Sequence, residues 1–117
     1  QLSAAELAAR FTEAWVHAVP SVWAEPFGMT ATEAMMRGTA AVVSATGGLR
    51  DTVLDGQTGF QVAPGDAEAL AAALGRLLAD RGLAAELGTA ARVRALDCFT
   101  VETCRDRLLG HYRDVLA

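Results

Sequence analysis

The chain has 117 residues, one domain's worth, and a chain of that length buries roughly two-thirds of the surface it exposes when unfolded. Its 52% hydrophobic content describes a globular protein, and no apolar run approaches the roughly 20 residues of a membrane span. A formal net charge of −4 without any block of basic residues argues against nucleic acid or an anionic membrane as the main partner.

Lysine, isoleucine and asparagine are absent while alanine abounds. The missing residues have AT-rich codons, so the composition points to a GC-rich bacterial genome. Cys98 and Cys104 lie six residues apart without a second ligand pair, which is no zinc pattern; reduced, structural thiols of a cytoplasmic protein are expected. Gln1-Leu2-Ser3 has neither the basic nor the apolar region of a signal peptide.

Ser3-x-x-Glu6 is a capping box, and Leu7, Phe11 and Ala14 or Trp15 recur behind it at helical spacing, so a first helix is expected to cover a sheet. Trp15 to Val19 reads as a buried strand leaving its sheet at Pro20-Ser21. His17 within it is expected to be a packed histidine rather than a catalytic one. An irregular segment, Val22 to Phe27, leads to Gly28. Helix formers then run from Met29 to Arg37, and Gly38 stands where a left-handed C-terminal cap falls. Trp23 on the irregular segment is expected to plug and anchor it rather than wall a pocket.

Thr39 to Ser44 is a second buried strand, punctuated by Thr46-Gly47-Gly48. Leu49 to Leu54 makes one or two helical turns, ended by Asp55-Gly56, and Phe60 to Val62 is a third short strand closed by Pro64-Gly65. Asp66 caps a helix with Leu70, Leu74, Leu77 and Leu78 in a stripe. Gly82 separates it from a helix over Leu83 to Ala95 with Leu87, Ala90 and Ala91 on one face. Thr100 caps a last helix whose Val101, Cys104, Leu108, Tyr112 and Val115 are expected to pack into the core.

The rhythm of strand, loop, helix is that of a parallel α/β sheet with a Rossmann-like order and flanking helices, whose ligands sit at the carboxyl ends of the strands. Gly28 and Gly48 each open a helix there, and the free amides of a helix's first turn suit a phosphorylated ligand. A carboxylate does not bind phosphate, so Glu25 and Glu33 suit hydroxyls, and two such acceptors suggest two sugars. Each residue also has a plainer reading. Thr30-x-x-Glu33 is a capping-box pattern, Glu25 alone would be a solvated loop residue, and Gly47-Gly48 suits a turn needing positive φ.

The run P-S-x-W-x-E-P-F-G-M-T-x-x-E-A-M-x-x-G from Pro20, then V-V-S-x-x-G-G and D-G-Q-T-G-F-x-V-x-P-G-D, resembles the donor-binding, C-terminal half of the retaining glycosyltransferases of family 4, with the GT-B fold. The likeness runs from about Leu7 to Tyr112. It implies that Glu25 contacts the donor sugar, as the catalytic carboxylate, and Glu33 the ribose hydroxyls. Amides of Phe27, Gly28, Met29 and Thr30 would meet the diphosphate and sugar, with Gly47 and Gly48 a second candidate phosphate or sugar loop. Asp51 departs from the glutamate many members carry, and its Gly-Gly-Leu-Arg-Asp run is more like glycogen and starch synthases.

The resemblance thus implies that residues 1–117 are a nucleotide-sugar donor-binding domain of a retaining glycosyltransferase. No cofactor and no metal are expected, and no D-x-D pattern occurs. Expected partners are a nucleotide-sugar donor, an acceptor sugar, lipid or small molecule, and the rest of the enzyme or a partner chain completing the sheet, but no nucleic acid. The family's diphosphate-binding Arg and Lys, further strands and acceptor domain are expected N-terminal to Gln1, so that 1–117 alone should not catalyse transfer. The location expected is cytoplasmic, with peripheral attachment to the inner membrane through the acceptor domain. Alternatives are a non-catalytic nucleotide-binding or interaction module, or a sugar-nucleotide epimerase or phosphorylase of the same fold.

Overall fold

A computed structural model describes all 117 residues, and its order of elements follows the expected rhythm. Helix α1 (Ala4–Glu13) precedes β1 (Val16–Val19), α2 (Met29–Met36), β2 (Ala40–Ser44), α3 (Leu49–Thr52) and β3 (Gly59–Val62). Three helices follow: α4 (Ala67–Ala79), α5 (Arg81–Cys98) and α6 (Val101–Leu116). The strands form one parallel sheet in the order β1-β2-β3, with Val19 beside Val43 and Ser44 beside Val62. Every loop that leaves a strand therefore emerges at the same edge of the sheet.

The central strand is buried over its whole length, and its small residues divide by the two-residue period of a strand. Ala41 and Val43 face a cluster with Val19, Ala31, Met35 and Leu49, built on α2, α3 and the later turns of α5. Ala40 and Val42 face the other way, onto Ala73, Leu77, Ala84 and Leu87 of α4 and the start of α5. Met35 is fully buried, and truncating it to alanine would cost about 2–5 kcal/mol.

Local signals fix most helix ends. Ser3 and Glu6 make the full capping box, with the Ser3 N–H donating to the Glu6 carboxylate at 2.7 Å; that bond, then the Ser3 hydroxyl, holds Glu6 below its ordinary pKa. Asp66 and Thr100 accept from the amides of Ala69 and Thr103. Helix α2 ends in a Schellman motif, in which Gly38 at φ 77° donates to Met35 and Thr39 donates to the Ala34 carbonyl.

Several expectations are corrected. Helix α1 packs along α2 instead of covering the sheet, touching β1 through Phe11, whose ring lies edge-on to His17 at 4.8 Å. Trp15 is outside the helix, exposed, with the Arg81 guanidinium over its ring. The break between α4 and α5 lies at Asp80, whose side chain caps Leu83, so Gly82 sits inside the first turn of α5. Leu78 is 55% exposed because it falls beside the stripe that Leu77 centres. Helix α6 buries no residue: it runs on from Phe99 away from the sheet, leaving Val101, Leu108, Tyr112 and Val115 in solvent.

Candidate functional site

The loop from Pro20 to Gly28 connects the carboxyl end of β1 to α2, and it is held by side chains and by glycines rather than by a ladder of backbone bonds. Ser21 donates its hydroxyl to Glu25 Oε1, four residues on, which tethers a half-buried carboxylate. A Cβ built on Gly28 would lie 3.8 Å from Glu25 Oε2, so the carboxylate stands beside the first turn of α2 with its second oxygen toward the helix end. Trp23, expected to plug the loop, is 60% exposed, because neighbouring Glu25 and Ser21 do the anchoring.

Gly28 caps α2 in the left-handed conformation, φ 86°, and the helix has no side-chain cap. The amides of Phe27, Gly28, Met29 and Thr30 donate to no group in the chain, which leaves four donors without partners at a helix N-terminus. The capping-box reading of Thr30-x-x-Glu33 is therefore corrected: with Gly28 as the cap, Thr30 lies inside the helix. Glu33, the fifth helical residue, rises about 6 Å along the axis from Met29. It is exposed at a cleft of about 340 Å³ between α1 and α2, with Leu2, Leu7, Phe11 and Met36 in its walls. Met29, 66% exposed, and Thr30 lie open at the helix start, and Phe27 is 41% exposed.

The Gly47-Gly48 turn lies under this loop. A Cβ on Gly47, at φ 50°, would come within 2.1 Å of the Glu25 carbonyl oxygen, and one on Gly48 within 2.4 Å of the Pro26 carbonyl oxygen. The Gly48 amide donates to the Glu25 carbonyl at 2.7 Å, so it is committed to seating the loop. Gly28 is seated the same way: its Cβ would fall 2.3 Å from Leu49 Cδ2. The two loops expected to share a ligand are thus interlocked, with the second supporting the first.

Three residues outside the sequence reading complete the seat. Thr52 donates its hydroxyl between the carbonyls of Gly48 at 2.8 Å and Phe27 at 2.9 Å. Phe99 meets the Phe27 ring edge-on, centroids 5.4 Å apart, and Arg94 reaches the carbonyls of Thr52 and Asp51. Only the Ser21-to-Glu25 tether had a local signal, its four-residue spacing. Thr52 and Arg94 act across 25 and 42 residues, where sequence spacing carries nothing. His17 is packed, as expected: its Nε2 is buried without a partner, and burial pulls its pKa below the ordinary value.

Residues 1–94 match the family model described as "Glycosyl transferases group 1". The glycogen synthase of Mycobacterium tuberculosis is 42% identical over 98 residues, covering 84% of this chain and 23% of that protein. Among solved structures, sucrose-phosphate synthase from Thermosynechococcus elongatus superposes with a TM-score of 0.90 at 41% identity, over 99% of this chain and 29% of its own. Anabaena HepE, solved in complex with UDP-glucose, gives 0.85 at 26% identity, over 93% of this chain and 30% of its own. The chain therefore spans between about a quarter and a third of the length of these proteins.

Proposed function

The chain belongs to the group 1 glycosyl transferases, with the GT-B type of α/β fold, and we propose that residues 1–117 are the donor-binding domain of a retaining enzyme that takes its sugar from a nucleoside diphosphate. The observation that carries this reading is the set of four unpaired amides at Phe27–Thr30, flanked by two carboxylates. Amides at a helix N-terminus suit a diphosphate, and the flanking carboxylates suit hydroxyls on either side of it. In a nucleotide sugar the ribose and the transferred sugar stand on either side of the diphosphate. The presence of UDP-glucose in HepE, which shares this fold, supports the same ligand class here.

On this reading Glu33 accepts from the ribose hydroxyls and Glu25, held by Ser21, accepts from the donor sugar. As the bond from the anomeric carbon to the diphosphate oxygen breaks, the electron pair passes to the diphosphate. The Phe27–Thr30 amides stabilise that charge because the interlocked loops aim them in advance. The oxygen of the acceptor hydroxyl, carried by a sugar, lipid or small molecule held by the other domain, bonds to the same face of the anomeric carbon while its proton passes to the departing diphosphate oxygen, and the configuration is retained. No metal is required at the diphosphate when fixed amides serve it, and a nucleotide donor suits a cytoplasmic protein.

The test is a calorimetric titration of the full-length protein with the diphosphates of uridine, adenosine and guanosine. It is followed by magnetic-resonance assignment of the product anomer from the matching donor sugar. Binding of at least one diphosphate and a retained anomer are expected. Binding of none, or an inverted product, would overturn the reading.

A further inference from the structure

Helix α5 lies behind the candidate site, and one of its side chains reaches the site loop by two separate routes. Arg94 donates from Nε to the Thr52 carbonyl at 3.1 Å and from Nη2 to the Asp51 carbonyl, so its charge sits on the C-terminal carbonyls of α3. The hydroxyl of the same Thr52 donates to the carbonyl of Phe27. The second route is through rings: the Arg94 guanidinium lies 5.4 Å from the centroid of Phe99, and Phe99 is edge-on to Phe27 at the same distance. Both routes end on Phe27, the residue before the Gly28 cap, one through its carbonyl and the other through its ring.

We propose that Arg94 is a positioning residue for the Glu25–Thr30 loop, a role that rests on the reading of that loop as the donor site. Arg94 touches none of the groups assigned to the ligand; it acts through Thr52 and Phe99. A planar guanidinium can hold two carbonyls while facing an aromatic ring, and a lysine can hold one without the flat contact. Loss of Arg94 frees the end of α3 and the Phe99 ring together, so Phe27 loses both its supports and the amide array loses its aim. The hydroxyl of Thr52, shared between the Phe27 and Gly48 carbonyls, carries the disturbance into the Gly48 seat as well.

The experiment uses the full-length protein with Arg94→Gln, Arg94→Lys and, as a stability match on the same helix, Asp80→Ala, which removes only the cap of α5. Displacing reacting groups by about 1 Å costs up to about a hundredfold, so Arg94→Gln should lower kcat/KM by as much as that, with a raised donor KM and an unmoved acceptor KM. Arg94→Lys should recover part of the loss. Asp80→Ala should lower the unfolding temperature and leave the donor KM alone. Hydrogen exchange without ligand gives a readout independent of the donor: the Gly48 amide, bonded to Glu25, should exchange faster in Arg94→Gln relative to the central-strand amides of Val42 and Val43. An unchanged donor KM together with an unchanged Gly48 rate overturns the proposal. If the unmodified protein binds no nucleoside diphosphate, the functional reading falls, and the Gly48 rate alone decides whether Arg94 holds the loop. If Arg94→Gln does not fold, Phe99→Leu, which breaks only the ring route, takes its place beside Arg94→Lys, and normal values in both overturn the proposal.

Discussion

Replacing Gly47 by alanine separates the backbone demand of a turn from the spatial demand of the site. Gly47 has φ 50°, and its Cβ would stand 2.1 Å from the Glu25 carbonyl oxygen and 2.7 Å from the Glu25 nitrogen. The left-handed conformation alone costs a residue with a Cβ about 1–2 kcal/mol. The contact adds a displacement. Real Cβ atoms essentially never approach another heavy atom closer than 3.0 Å, so the Glu25 backbone or the turn must give by 0.9 Å or more. A shift of that size at the residue carrying the proposed sugar ligand costs up to about a hundredfold in turnover. Gly56 is the matched control, with φ 69° and nothing within 4 Å of its Cβ. Gly56→Ala should lose only the conformational cost of its left-handed backbone and keep its transfer rate, while Gly47→Ala should lose more stability and its transfer rate as well. Thermal unfolding and steady-state transfer in the full-length protein measure the two effects. Equal turnover in the two variants would refute the claim that the Gly47-Gly48 turn seats the Glu25 loop.

Glu33→Ala should weaken the free nucleoside diphosphate by about 1.5–3 kcal/mol, roughly ten- to a hundredfold, whereas Glu25→Ala should leave that affinity nearly intact and lower turnover. Calorimetry on both variants checks this, and equal losses of affinity would remove the division of roles. On the proposed reading fixed amides serve the diphosphate, so transfer should survive excess chelator; activity lost to chelator and restored by one divalent ion would mean the diphosphate site is misassigned. Burial pulls the His17 pKa below its unfolded value, so the unfolded chain binds the proton more readily and stability rises with pH. The unfolding midpoint should therefore fall as the medium is acidified below about pH 6.5, and His17→Phe, which keeps a ring against Phe11, should flatten that slope. A His17→Phe profile parallel to the parent would assign the acid sensitivity to other groups.

Much of what depends on neighbours three or four residues apart was legible in the sequence, namely the caps at Ser3, Asp66 and Thr100, the Schellman end at Gly38, and all three strands, although the Asp80 cap of α5 and the Ser21–Glu25 tether went unread. The family-level motifs likewise lie within one continuous stretch. What was hidden lies across the fold. Thr52 and Arg94 reach the site loop from 25 and 42 residues away, and the contact of Gly47 with Glu25 exists only once two strands are paired in register. Periodicity misled at α6, because an apolar stripe states that a face is built to be covered without naming the surface that covers it.

The unrealised capping pattern at Thr30, the plainer of the two readings of Glu33, is of another kind. A threonine followed three residues later by a glutamate satisfies the capping-box rule as well as Ser3 and Glu6 do, yet only the latter pair caps its helix. The difference is Gly28: in the left-handed region it turns the chain into α2 two residues earlier, so no side chain blocks the first amides and Glu33 stays unbonded on the exposed face. A helix capped by its own side chain satisfies its donors internally and offers less to a ligand. Helix α2 forgoes that stabilisation, about 0.5–2 kcal/mol at a typical cap, at the position where the sheet's loops converge. A local rule left unfulfilled there, while every neighbouring helix of more than one turn obeys it, supports the proposed reading of α2 as an element shaped for binding rather than for its own stability.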